Sequence, residues 1–469
     1  MFSSDPKAVN TKSTSNRALS RRAMLCGTAG ALASVTIVPR HVLGAGYLAP
    51  SDKINMAGIG IGGVGHGQIA SCERAGFHVA ALCDIDDVYA DKSYKKWPQA
   101  KRFRDYREML DAVDKEIDAV YCGTPDHSHA VISLAALRKK KHLCCVKPLT
   151  RTIHENNVVV EAARRAGVAT QVTASPNTTE SGCRTCELIW GGAIGPVREV
   201  HIWSNRPLWP QGMARPQGQD AIPSTLDWDL WIGPARMRPF VSDWPKDHLA
   251  LQQVASGRPR TAVYHPWNFR GWWDFGTGAL GDMGCHHINT PYRALKLTHP
   301  VAVHASATKV MPESAPLASI VAYDFAARDD MPPVRLVWYD GGVRPPRPKA
   351  LEGRSLRGSG TMYVGDEGIM LGHEVLPAAR AKKFASLPKT LPRRSGTWGE
   401  WFEASRGGEP AGCHFAWAGL LTEFVLLGNI AIRTGKHLEW DGKAGKFANE
   451  ESANNYLHEE YREGWSLES

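Results

Sequence analysis

A chain of 469 residues with 43% hydrophobic residues is long enough for two domains and too apolar to be disordered. No apolar run reaches the roughly 18 residues that a membrane span needs, so no membrane insertion is expected. The net charge of +9 is scattered, and its short runs, Arg138 to Lys141 and Arg393-Arg394, lack interleaved aromatics. That pattern fits a solvated basic face and argues against a nucleic-acid site.

The first 45 residues differ from the rest. Ser20-Arg21-Arg22 precedes an apolar, small-residue run from Leu25 to Val38, with Leu43-Gly44-Ala45 as a weak cleavage site. The pattern resembles a twin-arginine secretion signal, which implies an exported, periplasmic protein. Cys26 opens the apolar run instead of following it, which argues against a lipoprotein. A cofactor carried outside the cytoplasm would have no free pool to refresh it, so it is expected to stay tightly bound.

A nucleotide-binding domain is expected over residues 50–175. Lys53 to Gly60 reads as a buried strand, followed by Gly60-Ile-Gly62-Gly63-Val-Gly65 and a helix from about Gln68 to Ala75. Strand, G-x-G-x-x-G loop and helix together form a dinucleotide cradle. Gly60 permits the turn, Gly62 lets backbone approach pyrophosphate, and Gly65 lets helix and strand pack closely. The helix N-terminus offers free N–H groups to the phosphates. Asp84 ends the next strand about 22 residues after Gly62, where a ribose-binding carboxylate is expected. With Asp86 and Asp87 beside it, it favours NAD over NADP.

The strand Ile117 to Cys122 runs into Thr124-Pro125-Asp126-His127-Ser128-His129, and His142 to Val146 delivers Lys147-Pro148. Thr124, Pro125 and His129 are cofactor-site candidates, although the histidines fit a structural role equally well. Lys147 could stabilise an alkoxide or relay a proton.

A substrate domain is expected over residues 176–469, which hold fifteen of the sixteen tryptophans. Arg270, Trp272, Trp273 and His287 are substrate-binding candidates, since aromatic plates with polar rims suit a sugar. Gly281-Asp282-Met-Gly-Cys-His286 places Asp282 and His286 on one face of a helix. The alternative is an N-capping Asp282 with a structural His286. Leu420 to Ile432 reads as a core helix, and Pro345 to Arg354 and Lys382 to Arg394 as exposed insertions. Ten cysteines form no disulfide framework in a chain of this length, and Cys183-x-x-Cys186 fits helix packing better than a metal site. No metal is expected.

These motifs, with Gly192-Ala-Ile-Gly195 and the segments Trp228 to Pro234, Arg270 to Asp274 and Leu421 to Glu423, resemble an exported, Trp-rich branch of the Gfo/Idh/MocA family. The resemblance runs from about Lys53 to the C-terminus. It implies an α/β protein, with a doubly wound parallel Rossmann sheet followed by an α/β domain with a large, open, mostly antiparallel sheet. It also implies Lys147 as catalytic lysine, Asp282 as substrate-binding aspartate, His286 as catalytic histidine, and a homo-oligomer (dimer or tetramer). Two positions depart from the family: Val146 stands where Glu is common, and Asn289 where Asp is usual. The activity implied is oxidation of a sugar, polyol or glycoside hydroxyl with bound NAD. Two other readings are glycoside cleavage by oxidation, elimination and reduction, and a non-catalytic sugar-binding protein.

Overall fold

Six strands build the first sheet: β1 (Ile54–Ile59), β2 (Phe77–Cys83), β3 (Lys101–Phe103), β4 (Ala119–Cys122), β5 (His142–Cys145) and β6 (Thr170–Val172). All pair in parallel, in the order β3-β2-β1-β4-β5-β6. This is the strand order of a doubly wound dinucleotide fold, and the reversal between β1 and β4 opens the crevice where such folds bind ligands. The computed structural model describes residues 53–468 apart from 259 and 352, so the secretion-signal segment lies outside the described residues. Residues 53–469 form one compact unit.

The inner strands are short and apolar because both faces of a parallel sheet are covered, whereas the edge strand β3 (Lys-Arg-Phe) is largely exposed. All four residues of β4 are buried, and Cys122, Cys144 and Cys145 pack as small apolar side chains. The first helix begins at Val64, four residues before the expected Gln68. Its opening turn, Val64-Gly-His-Gly, has weak helix propensity, and the N-terminal position on the sheet overrides it.

The second sheet holds β7 (Val197–Trp203), β8 (Ala302–Ala307), β9 (Ser319–Phe325), β10 (Val334–Tyr339), β11 (Gly360–Gly365), β12 (Ile369–Leu371), β13 (Glu374–Leu376), β14 (Leu438–Asp441) and β15 (Lys446–Phe447). Its order is β13-β12-β11-β7-β10-β9-β8-β14-β15, and only β7 and β10 pair in parallel. One face packs on two helices, Gly278–Ala294 and Phe415–Thr434, through Val303, Tyr323 and Phe325. The second helix is long and apolar enough to cross a membrane, but 83% of its apolar window is buried against the rest of the protein. It is a core helix, longer at both ends than the expected Leu420 to Ile432, and Gly435 at φ 63° terminates it.

Two stretches expected to be exposed insertions are anchored. Arg393 pairs with Glu180 and Glu187, Thr390 and Leu391 donate backbone N–H bonds to Glu187, and Leu387 and Leu391 pack on the core. In the other stretch, Leu351 is fully buried against the outer face of the second sheet. Charged and Pro-rich composition concealed single apolar anchors in both. Cys183 and Cys186 are buried on the helix Glu180–Trp190 and pack there as expected.

Candidate active site

The glycine loop is held from below by Asp84. Its Oδ2 accepts N–H bonds from Ile61 (2.8 Å) and Gly62 (3.1 Å), while Oδ1 accepts from Asp86 (3.1 Å). The carboxylate expected to face a ribose is turned onto the loop and shapes it. Burial pushes its pKa up, against the pull of His265 and the three N–H donors.

A Cβ on Gly60 would lie 2.7 Å from Thr124 N, and one on Gly65 only 2.0 Å from Gly60 O. These contacts require glycine at both positions. The Tyr89 side chain covers Gly62 and Gly63, where a Cβ would lie 2.2 Å from its ring and 2.0 Å from its hydroxyl oxygen respectively.

From this loop a cleft runs past Thr124 and Pro125 to Lys147 and Asp282. Its far wall is the segment His265-Pro-Trp267-Asn-Phe269-Arg270. The helix Gly278–Ala294 starts after Thr277, whose hydroxyl donates to Asp126 Oδ2 at 2.7 Å. Asp282 is therefore a second-turn residue and not the N-cap.

Lys147 Nζ donates to Asp282 Oδ1 at 2.6 Å and also to the Asp282 carbonyl, and Arg270 Nε donates to the same Oδ1 at 2.9 Å. The three side chains are 11–13% exposed. Burial alone would raise the Asp282 pKa; Lys147 and then Arg270 outweigh it and hold the group well below the usual carboxylate range. Two cations around one carboxylate leave the cluster with a net positive charge.

His286 lies one turn further on, with Nδ1 3.1 Å from Ser175 Oγ. Burial, then the charge of Lys147, lower its pKa to about 3, so the ring is neutral at ordinary pH. Ser175 holds Nδ1, and His286 itself stands behind Asp282, outside the residues that line the cleft.

Asn289 completes this face of the helix. Its Oδ1 accepts from Asn177 (2.8 Å) and Trp417 (2.7 Å), and its Nδ2 donates to Ser175 O at 2.9 Å. A carboxylate could not make that last donation. The departure from the family's Asp thus holds the segment that presents Ser175 to His286. Val146, the other departure, lines the cleft as an apolar wall beside Lys147.

Several expectations need correction. Trp272 is 1% exposed and donates to Val263 O at 2.9 Å inside an aromatic cluster with Trp244 and Tyr264. Trp273 is 5% exposed and packs in the main core near Arg433. Neither faces the cleft, because the short 3-10 turn Asn268–Gly271 swings both indoles inward. His287 points to Trp338 on the second sheet, outside the cleft lining.

His129 is fully buried, with Nδ1 2.8 Å from Pro148 O and Nε2 2.9 Å from Thr124 O. It staples the loop after β4 to the lysine segment and does not reach the cleft. Arg270 does line the cleft, but its carboxylate partner is Asp282, and its guanidinium lies 4.1 Å from the Trp267 ring centroid.

The sequence reading missed Tyr89, Trp231, His265 and Trp267, all of which line the cleft. Trp267 adopts φ 84°, in the left-handed region that a bulky residue rarely enters, and such outliers cluster at functional sites. No local sequence signal marks this backbone turn.

His127 is also fully buried, and burial lowers its pKa to about 4. A folded-state pKa below the unfolded value of about 6.5 means that the unfolded chain takes up the proton first as pH falls. Its contribution is complete above pH 6.5 and is lost towards pH 4. Between pH 7 and pH 5 this group alone should cost about 2 kcal/mol of stability. His286 and His287 act in the same direction, and Asp340, pushed up to about 6 by burial, opposes them. Urea midpoints at the two pH values measure the sum, and equal midpoints would contradict it.

A parallel sheet in this order with a glycine cradle has the form of a dinucleotide-binding fold, and the cleft beside it ends in a Lys–Asp–Arg cluster. Residues 53–174 match the oxidoreductase family with an NAD-binding Rossmann fold, Gfo/Idh/MocA. Over these residues the chain is similar to that family.

Inositol 2-dehydrogenase of Salmonella typhimurium is 31% identical over 151 residues, 32% of this chain and 44% of that protein. Levoglucosan dehydrogenase of Pseudarthrobacter phenanthrenivorans is 32% identical over 111 residues, 23% of this chain and 28% of that protein. The matched region thus spans less than half the length of these relatives.

Fold similarity extends through both sheets. The WlbA dehydrogenase of Bordetella pertussis, solved with NADH and UDP-GlcNAcA, gives a TM-score of 0.55 at 13% identity, covering 83% of this chain and 99% of that one. Aldose-aldose oxidoreductase of Caulobacter crescentus gives 0.53 at 16% identity, covering 83% and 100%.

Proposed function

We propose that the protein is an NAD-dependent oxidoreductase acting on a hydroxyl group of a sugar, polyol or glycoside. The observation that carries this reading is the positively charged Lys147–Asp282–Arg270 cluster at the end of a cleft that begins at the glycine loop. The glycine positions that a Cβ would fill, with the helix N-terminus beyond them, fit the pyrophosphate of NAD. The carboxyl groups of Asp84 and Asp86 beside the cradle disfavour a 2′-phosphate, which favours NAD over NADP. Bound there, NAD supplies the hydride acceptor.

The chain's own residues supply the rest. His286, neutral and fixed through Nδ1, accepts the hydroxyl proton at Nε2. The net positive charge around Lys147 favours the negative charge that develops on the substrate oxygen. Asp282, kept ionised by its two partners, accepts a hydrogen bond from the substrate and orients it.

Lys147→Met tests the assignment. It leaves the Arg270–Asp282 pair and the cradle intact, so NAD should still bind, while turnover should fall by about 10³-fold or more. Unchanged turnover would remove Lys147 from the chemistry.

Two further features belong to this proposal. Arg21-Arg22 and the apolar run after them support twin-arginine export to the periplasm with the nucleotide already bound. The second sheet, whose outer face is only partly covered, supports a homo-oligomer. Protein recovered from the periplasm should release about one NAD(H) per chain on denaturation, and its product profile would separate net oxidation from glycoside cleavage.

A further inference from the structure

On the outer face of the second sheet, away from the cleft, two imidazoles and a carboxylate converge. Val303 and Tyr323 point to the core helices, so by strand alternation His304 on β8 and Asp324 on β9 point the other way. Leu438 pairs with Val303, and continuing that antiparallel register places His437 directly across from His304. Side chains opposite one another on such a pair lie within reach of a common partner.

The rings stack, with centroids 5.5 Å apart and planes inclined by 22°. One nitrogen of each ring and one Asp324 oxygen all lie within 4.8 Å of one another. His304 Nδ1 is buried without a hydrogen-bond partner, which is a costly state for a polar atom unless something binds it.

We propose that His304, Asp324 and His437 bind a divalent transition-metal ion of the zinc class. Two imidazoles and a carboxylate are a borderline-hard donor set suited to Zn(II). Tetrahedral geometry with bonds of about 2.0 Å needs ligand atoms about 3.3 Å apart, within rotamer adjustment of the present separations. Three protein ligands leave a position for water or for a group from a second molecule.

Asp324 is already oriented from behind. Arg335 Nε donates to Oδ1 at 2.7 Å and Nη2 to Oδ2 at 3.2 Å, the kind of outer-shell support that ligating carboxylates usually have.

Two other histidine arrangements among the described residues differ in kind. His201, on the same outer face, has Nδ1 3.0 Å from the Tyr339 hydroxyl and Nε2 3.0 Å from Glu199. The buried trio Cys122, His129 and Cys145 also lies close together, but both nitrogens of His129 already face carbonyl oxygens. In the proposed site His304 Nδ1 has no such partner. The role that follows is structural: an ion here would tie β14, near the sheet edge, to β8 and β9.

Titration of the full, tag-free chain with Zn(II) against a chromophoric chelator tests the site, with Co(II) absorption as a second readout. One equivalent should bind. His304→Ala and His437→Ala should each weaken binding by more than about tenfold, since even outer-shell losses cost that much. His201→Ala should leave it unchanged. Failure to bind one equivalent, or binding that survives both His304→Ala and His437→Ala, would overturn the proposal. The substitutions lie on the outer face, and a retained melting temperature in each variant separates lost ligation from lost fold.

Discussion

Asp282→Ala should both unfold more easily and lose turnover. Removing the carboxylate leaves Lys147 and Arg270 facing the same space, with little water to screen them. Breaking a buried ion pair from one side typically costs 3–5 kcal/mol, because the remaining charge stays desolvated. Here two remain, but the slight exposure of all three groups lets some water in, so about 3 kcal/mol is expected. Lys147→Met should cost far less, because one cation and the carboxylate stay paired. Chemical denaturation of the two variants side by side makes the comparison, and equal stabilities would show that the cluster is not the electrostatic unit described. Asp282 titrates well below the usual carboxylate range, so its protonation should not shape the pH–rate profile at ordinary pH.

Gly65→Ala should abolish nucleotide retention. Its Cβ would come within 2.0 Å of Gly60 O, in the one place where strand and helix meet across the loop. That overlap cannot be relieved by turning a side chain, because the obstructing atom is backbone. The loop must open, and with it the cradle and the bond from Gly65 N to Gly62 O. Nucleotide affinity should drop by at least about 100-fold, with 1–3 kcal/mol lost from overpacking. Gly67→Ala is the matched control. It sits on the same helix with nothing within 4 Å of the added Cβ, and should stabilise by about 0.5–1 kcal/mol without altering binding. Nucleotide titration and denaturation of both variants distinguish a steric requirement from a general intolerance of alanine.

The nucleotide-binding half was legible in the sequence because its signals are local. A buried strand, a glycine turn and a helix stand next to one another in the chain, and the spacing of Asp282 and His286 needs only helical periodicity. The wall of the cleft was not legible. Whether an indole in Trp267-Asn-Phe-Arg-Gly-Trp272-Trp273 faces substrate or core depends on one short 3-10 turn and one positive φ, and composition encodes neither. Asp84 shows a subtler limit. Its position at the end of β2 was read correctly, but which of two nearby hydrogen-bonding demands it meets, the ribose or the loop, is decided in three dimensions. His129 and Asn289 are similar: their partners lie on Pro148, Thr124, Ser175, Asn177 and Trp417. Only the folded chain brings those together.

The helix Gly278–Ala294 carries Asp282, His286 and Asn289 at intervals of four and three residues, each engaged with a different part of the protein. Two of the groups assigned to chemistry, Asp282 and His286, therefore ride on one rod, fixed at its start by Thr277 and further along by Asn289, while Lys147 reaches it from the end of β5. The wall that would meet the rest of a substrate is built on the connecting stretch from His265 to Arg270. Reactivity and preference are thereby carried on separable parts. Outside Arg270, substitutions in the wall can retune which molecule enters while the rod keeps its alignment, so this scaffold can change diet without relearning its chemistry.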